Sequence, residues 1–357
     1  MHTGIDIILC CHNSADRLPT TLGHIAAQTG VSPDEWTLVL VDNGSSDGTA
    51  DVATRIWRDL GSPTALQVVA EERLGLGYAR VRGIEATQRE FLCFVDDDNW
   101  ICPEWVQRAL ATLRGSTSIG AVGGRSEAAF AETPPKWFYD AAGGYAIGRQ
   151  AERSGDVTEG RGYLYGAGLC LRRKAVLGLF DQGFEFLNAG RAGARLASGD
   201  DQELCLALRL AGWRLWYEDS MVFRHYMPAN RLRWSYAKAM FAGFGRSGPT
   251  LSCYRNAYRI PADDPDIPDR WQRMLLQTLK SIARHIKQHP TCILKRNVHA
   301  LRLRALVARA VVIAGKRSEI DRLADTLRCA AWNLKSAPRA EQLQSAASLT
   351  ATPNETS

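Results

Sequence analysis

The residues best equipped for chemistry sit in one run, Asp96-Asp97-Asp98-Asn99, directly after the apolar segment Phe91 to Val95. Three consecutive carboxylates repel one another, so folding alone does not favour them at the end of a buried strand. A hard divalent cation relieves the repulsion, because Mg²⁺ is held by one or two carboxylates together with substrate phosphates. The run reads either as a metal–diphosphate site at the carboxyl edge of a sheet or as a solvated acidic turn. A second pair, Asp200-Asp201, follows Gly199 and opens an amphipathic pattern with Leu204, Leu208 and Leu210. Adjacent carboxylates tend to raise one pKa, and a raised carboxylate beside a substrate hydroxyl is a candidate general base. The plainer reading is acid favoured by the dipole at a helix start.

Other groups add to these. Asp42, with Asn43 and Ser45, ends the apolar run Thr37 to Val41 and can accept from a base imide or hold a ribose hydroxyl. Its neighbours Ser46, Asp47 and Thr49 account for a turn and a helix cap. Arg80 and Arg82 follow the loop Gly75-Leu76-Gly77, and an arginine fork suits phosphate, Arg80 being the better placed. The loop is not a dinucleotide fingerprint, since Arg80 stands where the third glycine would be. His225 ends another apolar run and is a candidate third metal or phosphate contact, or a structural histidine. The backbone of His12 can line a nucleoside pocket. Trp213 and Trp216 read as core, with one of them able to stack on a sugar.

These residues need a scaffold that brings them together. Ile5 to Cys11, Thr37 to Val41, Leu66 to Ala70 and Phe91 to Val95 read as strands, the second and fourth of them buried. Helical patterns over Asp16 to Thr29, Ala50 to Leu60 and Tyr78 to Thr87 separate them. Continuous apolar strands alternating with helices predict a parallel sheet covered on both faces. In such sheets ligands bind at the carboxyl ends of the strands, where all the polar loops fall. Further on, a helix is expected over Glu104 to Leu113 and a short strand over Ile119 to Gly123. Residues 126–165 read as irregular, Gly166 to Leu171 as a strand, and Arg214 to Glu218 and Ser220 to His225 as two short strands.

The chain has 357 residues, 45% hydrophobic and 23% charged, which suits a globular protein of about two domains. Its net charge of +6 is modest, so its placement matters more than its size. From Arg231 to Arg246 the chain is basic and aromatic. Pro261 to Asp269 reads as a linker, residues 270–340 as basic helix, and the tail from about Ala337 as disordered. Arg273, Lys280, Arg284, Lys287, Lys295 and Arg296 meet few acids, while Leu275, Leu279, Ile282 and Ile286 form an apolar stripe. That pattern predicts contact with an anionic membrane surface, against a plain solvated helix face. No nucleic-acid motif accompanies the charge, so no nucleic acid is expected. The nine cysteines show no CxxC pair and no Cys/His spacing of a zinc site, and they predict reduced thiols in the cytoplasm. Neither a signal peptide nor a membrane span is expected.

Six stretches, IILCCHNSADRLPTTL, LVLVDNGSSDGTADVA, GLGYARVRGIEAT, FLCFVDDDNW, YGAGLCLRRKAV and GDDQELCLALRLAGWRLWYEDSMVFRH, occur in an order and spacing that resembles the family-2 glycosyltransferases over roughly residues 5 to 250. The resemblance implies a GT-A fold: a Rossmann-like, mostly parallel sheet with helices on both faces, followed here by a basic helical extension. It implies a catalytic domain over 1–228, with a nucleotide-sugar half to about 125 and an acceptor half over 126–228. A basic segment and linker over 229–262, a helical extension over 263–336 and a disordered tail over 337–357 complete the expected organisation. The implied activity is inverting transfer of a sugar from a nucleotide-sugar, expected to be UDP-linked, to a glycan or lipid-linked acceptor in cell-surface polysaccharide synthesis. Cys11, Asn13, Asp42, Arg80, Asp96 and Asp97 would contact the donor. Asp98, Asp96 and His225 would hold Mg²⁺ or Mn²⁺. Asp201 would be the base, with Asp200 in the acidic position beside it, and Gly166-Ala167-Gly168 would border the acceptor. The implied location is the cytoplasm, peripheral at the inner face of the plasma membrane. Two departures stand out: Val81 follows Arg80 where the family commonly has Asn, and His12 stands where an aromatic commonly precedes Asn. The rival classes are a nucleotidyltransferase and a non-catalytic nucleotide-sugar-binding protein.

Overall fold

The apolar run Ile5 to Cys11 folds as β1 (His2–Cys11) inside a nine-stranded sheet, in a computed structural model that describes residues 2–188, 199–259 and 271–330. β1 lies between β2 (Trp36–Asp42) and β4 (Arg89–Asp96), with β3 (Leu66–Ala70) beyond β2, and all three ladders are parallel. Ile8 packs with Val39 and Val41 in one buried cluster, while Ile5, Ile7 and Leu9 pack with Leu38 and Leu40 in another. Both faces of β1 and β2 are therefore dry, which is why those two strands read as unbroken apolar runs, whereas β3 at the sheet edge holds no buried residue. Helices α1 (Leu18–Ala26) and α2 (Thr49–Asp59) cover the Ile5 face through Leu18, Leu22, Ala53 and Trp57. Helix α3 (Leu76–Ala86) covers the other face. A Cβ on Gly83 would lie 2.4 Å from Ile8 Cγ2, so α3 approaches the sheet more closely than a side chain there permits.

Beyond β4 the sheet continues through β8 (Cys170–Arg172), β6 (Ile119–Phe130), β9 (Arg214–Met227) and β5 (Asn99–Ile101), with β7 (Gly155–Asp156) also on β9. β6 and β9 run parallel from Ile119↔Arg214 to Phe130↔Met227, and each antiparallel ladder pairs three residues or fewer. Helices α4 (Trp105–Gly115), α5 (Lys136–Ala141), α6 (Arg173–Phe180) and α7 (Asp200–Leu210) complete this part.

Several expectations for this half need correction. The two short strands expected over Arg214 to His225 are the single strand β9. Its polar interruption is accommodated because the Asp219 carboxylate accepts from Tyr217 Oη at 2.5 Å and pairs with Arg149 at 3.0 Å. The strand expected over Gly166 to Leu171 begins only at Cys170. Gly168 has φ +70°, and a Cβ there would lie 2.6 Å from Trp105 Cζ2, so the chain loops over that indole at Gly168 before the strand begins. The stretch over 126–165 is less irregular than its composition suggests, holding the end of β6, α5 and β7.

The basic carboxyl-terminal stretch builds α8 (Trp234–Arg259), α9 (Trp271–Gln288), α10 (Val298–Gly315) and α11 (Arg317–Cys329). α8 packs on α7, α10 and α11, and α9 on α10. A Cβ on Gly245 would lie 2.1 Å from the Ala305 carbonyl oxygen, so α8 and α10 meet backbone to backbone. A third buried cluster joins Phe138 and Tyr145 to Met227, Met240, Phe241, Val298 and Leu301. The helices thus pack against the half of the fold that holds β6, β9 and α5. In α9, Leu275, Ile282 and Ile286 are half-buried, whereas Leu279 is exposed. No described helix is long and apolar enough to cross a membrane. The expected linker over Pro261 to Asp269 and the expected tail over 337–357 lie outside the described residues.

Candidate active site

The chain passes through β1, β2 and β3 in one direction across the sheet and then returns to the far side of β1 for β4. This reversal opens a crevice at the carboxyl ends of β1 and β4, where Cys10 stands opposite Asp96. A cavity of about 680 Å³ occupies it, within the range of small-molecule sites. Cys11, Arg80, Asp96, Asp97, Asp98, Asp200, Asp201 and His225 all line this cavity. Asp42 and Asn13 are not in its lining.

Those last two residues are held by the loops themselves. Asp42 Oδ1 accepts from the Ser45 N–H at 3.1 Å, which holds the turn after β2. Asn13 has φ +49°, and its Oδ1 accepts from the Ser46 N–H at 2.8 Å. The neighbouring Asn43 does more than the sequence suggested. Its Nδ2 donates to the carbonyls of Glu71 (2.9 Å) and Arg73 (2.8 Å), and its Oδ1 accepts from the Gly75 N–H (2.8 Å). One buried amide so fixes the loop after β2 against the loop after β3. His12 Nδ1 donates to the Asn43 carbonyl at 2.7 Å, tying in the loop after β1. Cys11 is buried, and burial pushes its thiol well above the usual cysteine range.

The acidic run turns tightly between β4 and β5, with Asn99 Oδ1 accepting from the Asp96 N–H at 3.2 Å. Its three carboxylates face different partners. Asp97 turns to α1, where Ser14 donates to it and Arg17 Nη2 lies at 2.6 Å. Burial and the charge of Asp98 push Asp97 upward, opposed by Arg17. Asp98 is buried, with Arg231 Nη2 at 2.7 Å from Oδ2 and His225 Nε2 at 3.4 Å from Oδ1. Antiparallel pairing of Asn99 with His225 across β5 and β9 delivers that imidazole. Arg231 Nη1 is 3.0 Å from His225 Nε2, and a guanidinium only donates, so Nε2 presents its lone pair. The His225 proton then sits on Nδ1, which is buried without a partner. A carboxylate and an imidazole lone pair thus converge on the Arg231 cation.

The second acidic centre opens α7. Gly199, at φ +111°, turns the chain so that Asp200 and Asp201 head the helix. Asp200 is paired with Arg80 Nη1, and Arg80 Nη2 lies 3.8 Å from Asp96. Arg80 is buried, with its guanidinium 5.1 Å from the centre of the Phe94 ring. Asp201 accepts from the backbone N–H groups of Gly166 (3.0 Å) and Gln202 (2.8 Å). Burial raises its pKa to about 6, the Asp200 charge adds to the rise, and Arg80 opposes it. A Cβ on Gly166 would lie 2.9 Å from Asp201 Cβ, so glycine permits this approach. The two acidic centres therefore face one cavity and share one buried arginine. That sharing was not legible in Arg80's sequence context, which pointed to phosphate. Arg17 and Arg231 were given no role from the sequence either, since each is an arginine without a glycine-rich or periodic setting.

Residues 6–178 match the family model described as glycosyl transferase family 2. Among curated proteins, glycosyltransferase AglE of Haloferax volcanii is 29% identical over 123 residues, which is 34% of this chain and 39% of AglE. The succinoglycan biosynthesis protein ExoM of Rhizobium meliloti is 25% identical over 248 residues, 69% of this chain and 73% of ExoM. The match therefore spans well under two thirds of AglE and about three quarters of ExoM. Among solved structures, S. aureus TarS 1-349 is similar at a TM-score of 0.49 with 15% identity, covering 89% of this chain and 92% of that one.

Proposed function

We propose, from the match of residues 6–178 to the family-2 glycosyltransferase model, that the chain is such an enzyme and transfers a sugar from a nucleoside-diphosphate sugar to an acceptor hydroxyl with inversion at the anomeric carbon. The observation that carries the reading is the pairing of two acidic centres on one cavity. One presents cation-binding donors at the end of β4, and the other presents a carboxylate with a raised pKa at the start of α7.

Asp201 is the base. It faces the cavity, its two oxygens are oriented by backbone N–H groups, and a pKa near 6 leaves it ionised and basic at neutral pH. It takes the proton of the acceptor hydroxyl as that oxygen attacks the anomeric carbon. The bond from that carbon to the diphosphate breaks on the opposite side, which inverts the centre. Asp200 holds Arg80, and Arg80 keeps the two acidic centres at a fixed separation. The tie among Asn43, His12 and Gly75 shapes the nucleoside end.

The donor set of Asp96, Asp98 and the His225 Nε2 lone pair fits Mg²⁺ or Mn²⁺, with two hard carboxylates and one imidazole. A divalent cation there supplies Lewis-acid stabilisation of the departing diphosphate. Arg231 now answers those donors. A UDP-linked donor and a glycan or lipid-linked acceptor in surface-polysaccharide assembly are the reading we favour, a setting in keeping with the name of ExoM.

Incubating the protein with a panel of sugar nucleotides, with and without Mn²⁺, tests the class. Slow release of nucleoside diphosphate from one donor, accelerated by an acceptor, is the expected result. Pyrophosphate release would point to a nucleotidyltransferase instead. Tight binding with no release from any donor would make the protein a binding module.

The membrane reading rests on one end of the helical wall. Ile293 and Leu294 are 67% and 87% exposed, and Lys287, Lys295 and Arg296 flank them. Apolar side chains ringed by cations suit an anionic bilayer surface, where each basic residue adds about 1 kcal/mol. In flotation with phosphatidylglycerol vesicles, a protein with both Ile293→Glu and Leu294→Glu should bind about tenfold less than wild type. Equal flotation of the two proteins would remove this surface from consideration.

A further inference from the structure

Away from the acidic centres, the structure gathers three histidines that the sequence spacing did not mark as a metal site. His285 lies in the last turn of α9, His289 just beyond that helix, and His299 in the first turn of α10. One ring nitrogen of each lies within 4.8 Å of those of the other two. The rings of His289 and His299 stack with centres 3.6 Å apart.

His285 Nε2 is 2.9 Å from the carbonyl oxygen of His299. A carbonyl only accepts, so Nε2 carries the proton and Nδ1 keeps its lone pair. Metal-ligating histidines are oriented by this same bond from the second ring nitrogen to a backbone carbonyl. His299 Nδ1 is shielded from solvent and has no hydrogen-bond partner. Stacking alone explains the contact of two rings but not an orphaned buried nitrogen beside two further imidazoles.

We propose that His285, His289 and His299 bind a divalent cation of the zinc class, clipping the end of α9 to the start of α10. Imidazole is a preferred ligand for such ions, and three histidines leave a fourth position for water. At the usual Zn–N distance of about 2.0–2.1 Å, tetrahedral donors sit roughly 3.4 Å apart. Because each Zn–N bond lies in its ring plane, binding requires the stacked rings of His289 and His299 to splay apart toward a shared ion. The clip bears on the cavity, because Val298 and Arg302 flank His299 in α10 and both line it. A cation here would fix that wall without touching the acidic centres, and the inference stands independently of the sugar-transfer reading.

The test uses the full chain and Zn²⁺. About one equivalent should survive desalting, and Zn²⁺ but not Mg²⁺ should raise the melting temperature by about 4 °C or more. Co²⁺ in place of Zn²⁺ should give visible d–d bands without near-ultraviolet thiolate charge transfer, a readout that needs no variant. His289→Ala and His299→Gln should each weaken Zn²⁺ binding at least about tenfold, with melting in EDTA reporting whether the variant itself is folded. Retention below about a tenth of an equivalent would overturn the site, as would a thiolate spectrum or equal Zn²⁺ affinity in the histidine variants.

Discussion

Asp201→Asn should cut sugar transfer by about 10³-fold while the protein melts within a few degrees of wild type. The loss follows from removing the only cavity-facing carboxylate, among the described residues, whose pKa is raised to about 6 and whose charge is not already paired with an arginine. The small effect on melting follows from two opposing changes. One of the two backbone donors, Gly166 N–H or Gln202 N–H, loses its acceptor, which costs about 1–3 kcal/mol. In return a buried charge beside Asp200 disappears. The pH dependence has a definite sign. The folded-state pKa of Asp201 lies above its unfolded value, so the folded state binds the proton more tightly. That contribution is full below about pH 4 and is lost as pH rises through about 6. Activity runs the other way, because only the ionised carboxylate is a base. The wild-type rate should climb tenfold per pH unit below about 6 and level off above it, and Asp201→Asn should flatten the climb. Transfer at near wild-type rate in the variant would show that another group takes the proton.

The Rossmann-like half was legible because its signals are redundant. Leu66 to Ala70 is a strand with the bounds its pattern gives, and β1, β2 and β4 each extend the expected run by a few residues at most. Both faces of β1, β2 and β4 are dry, so composition and position agree there, whereas the edge strand β3 holds no buried residue. The other half is wet on one side and carries polar residues whose partners come from far along the chain. Asp219 hid the continuity of β9, because its acceptability depends on Arg149 and Tyr217. The site shows the same division. Local motifs placed Asp96, Asp98, Asp200, Asp201 and His225 around one cavity. The counter-charges were not legible, since Arg17, Arg80 and Arg231 reach the acids only through the folded topology. Asn43 was read as a companion of Asp42, yet it binds two loops whose proximity only the sheet order creates. The three histidines of α9 and α10 are the same case, because a helix hairpin and not a sequence spacing brings them together.

Asp98→Asn should reduce Mn²⁺-stimulated transfer by about 10²–10³-fold, comparable to loss of one preorganised charge-stabilising group. Unlike Asp201→Asn, it should also lower stability, by about 3–5 kcal/mol, since it strips Arg231 of a buried partner 2.7 Å away. A measured folded fraction separates the two effects. Arg231→Gln makes the complementary case. With the guanidinium gone, Asp98 and the His225 lone pair face the cavity without an internal cation. Coulombic competition for those donors ends, so half-maximal activity should need about tenfold less Mn²⁺. The two variants together decide what Arg231 does. If Arg231→Gln lowers the Mn²⁺ requirement and keeps the maximal rate, the arginine is a place-holder that a divalent ion displaces. If it abolishes transfer at every Mn²⁺ concentration, Arg231 itself neutralises the departing diphosphate, and Asp98 serves to aim it. In either case the carboxylate at position 98 acts through the cation it holds, whereas Asp201 acts on the acceptor proton. Doubling the two substitutions should therefore multiply their effects on rate, as expected for residues that serve different bonds of the same displacement.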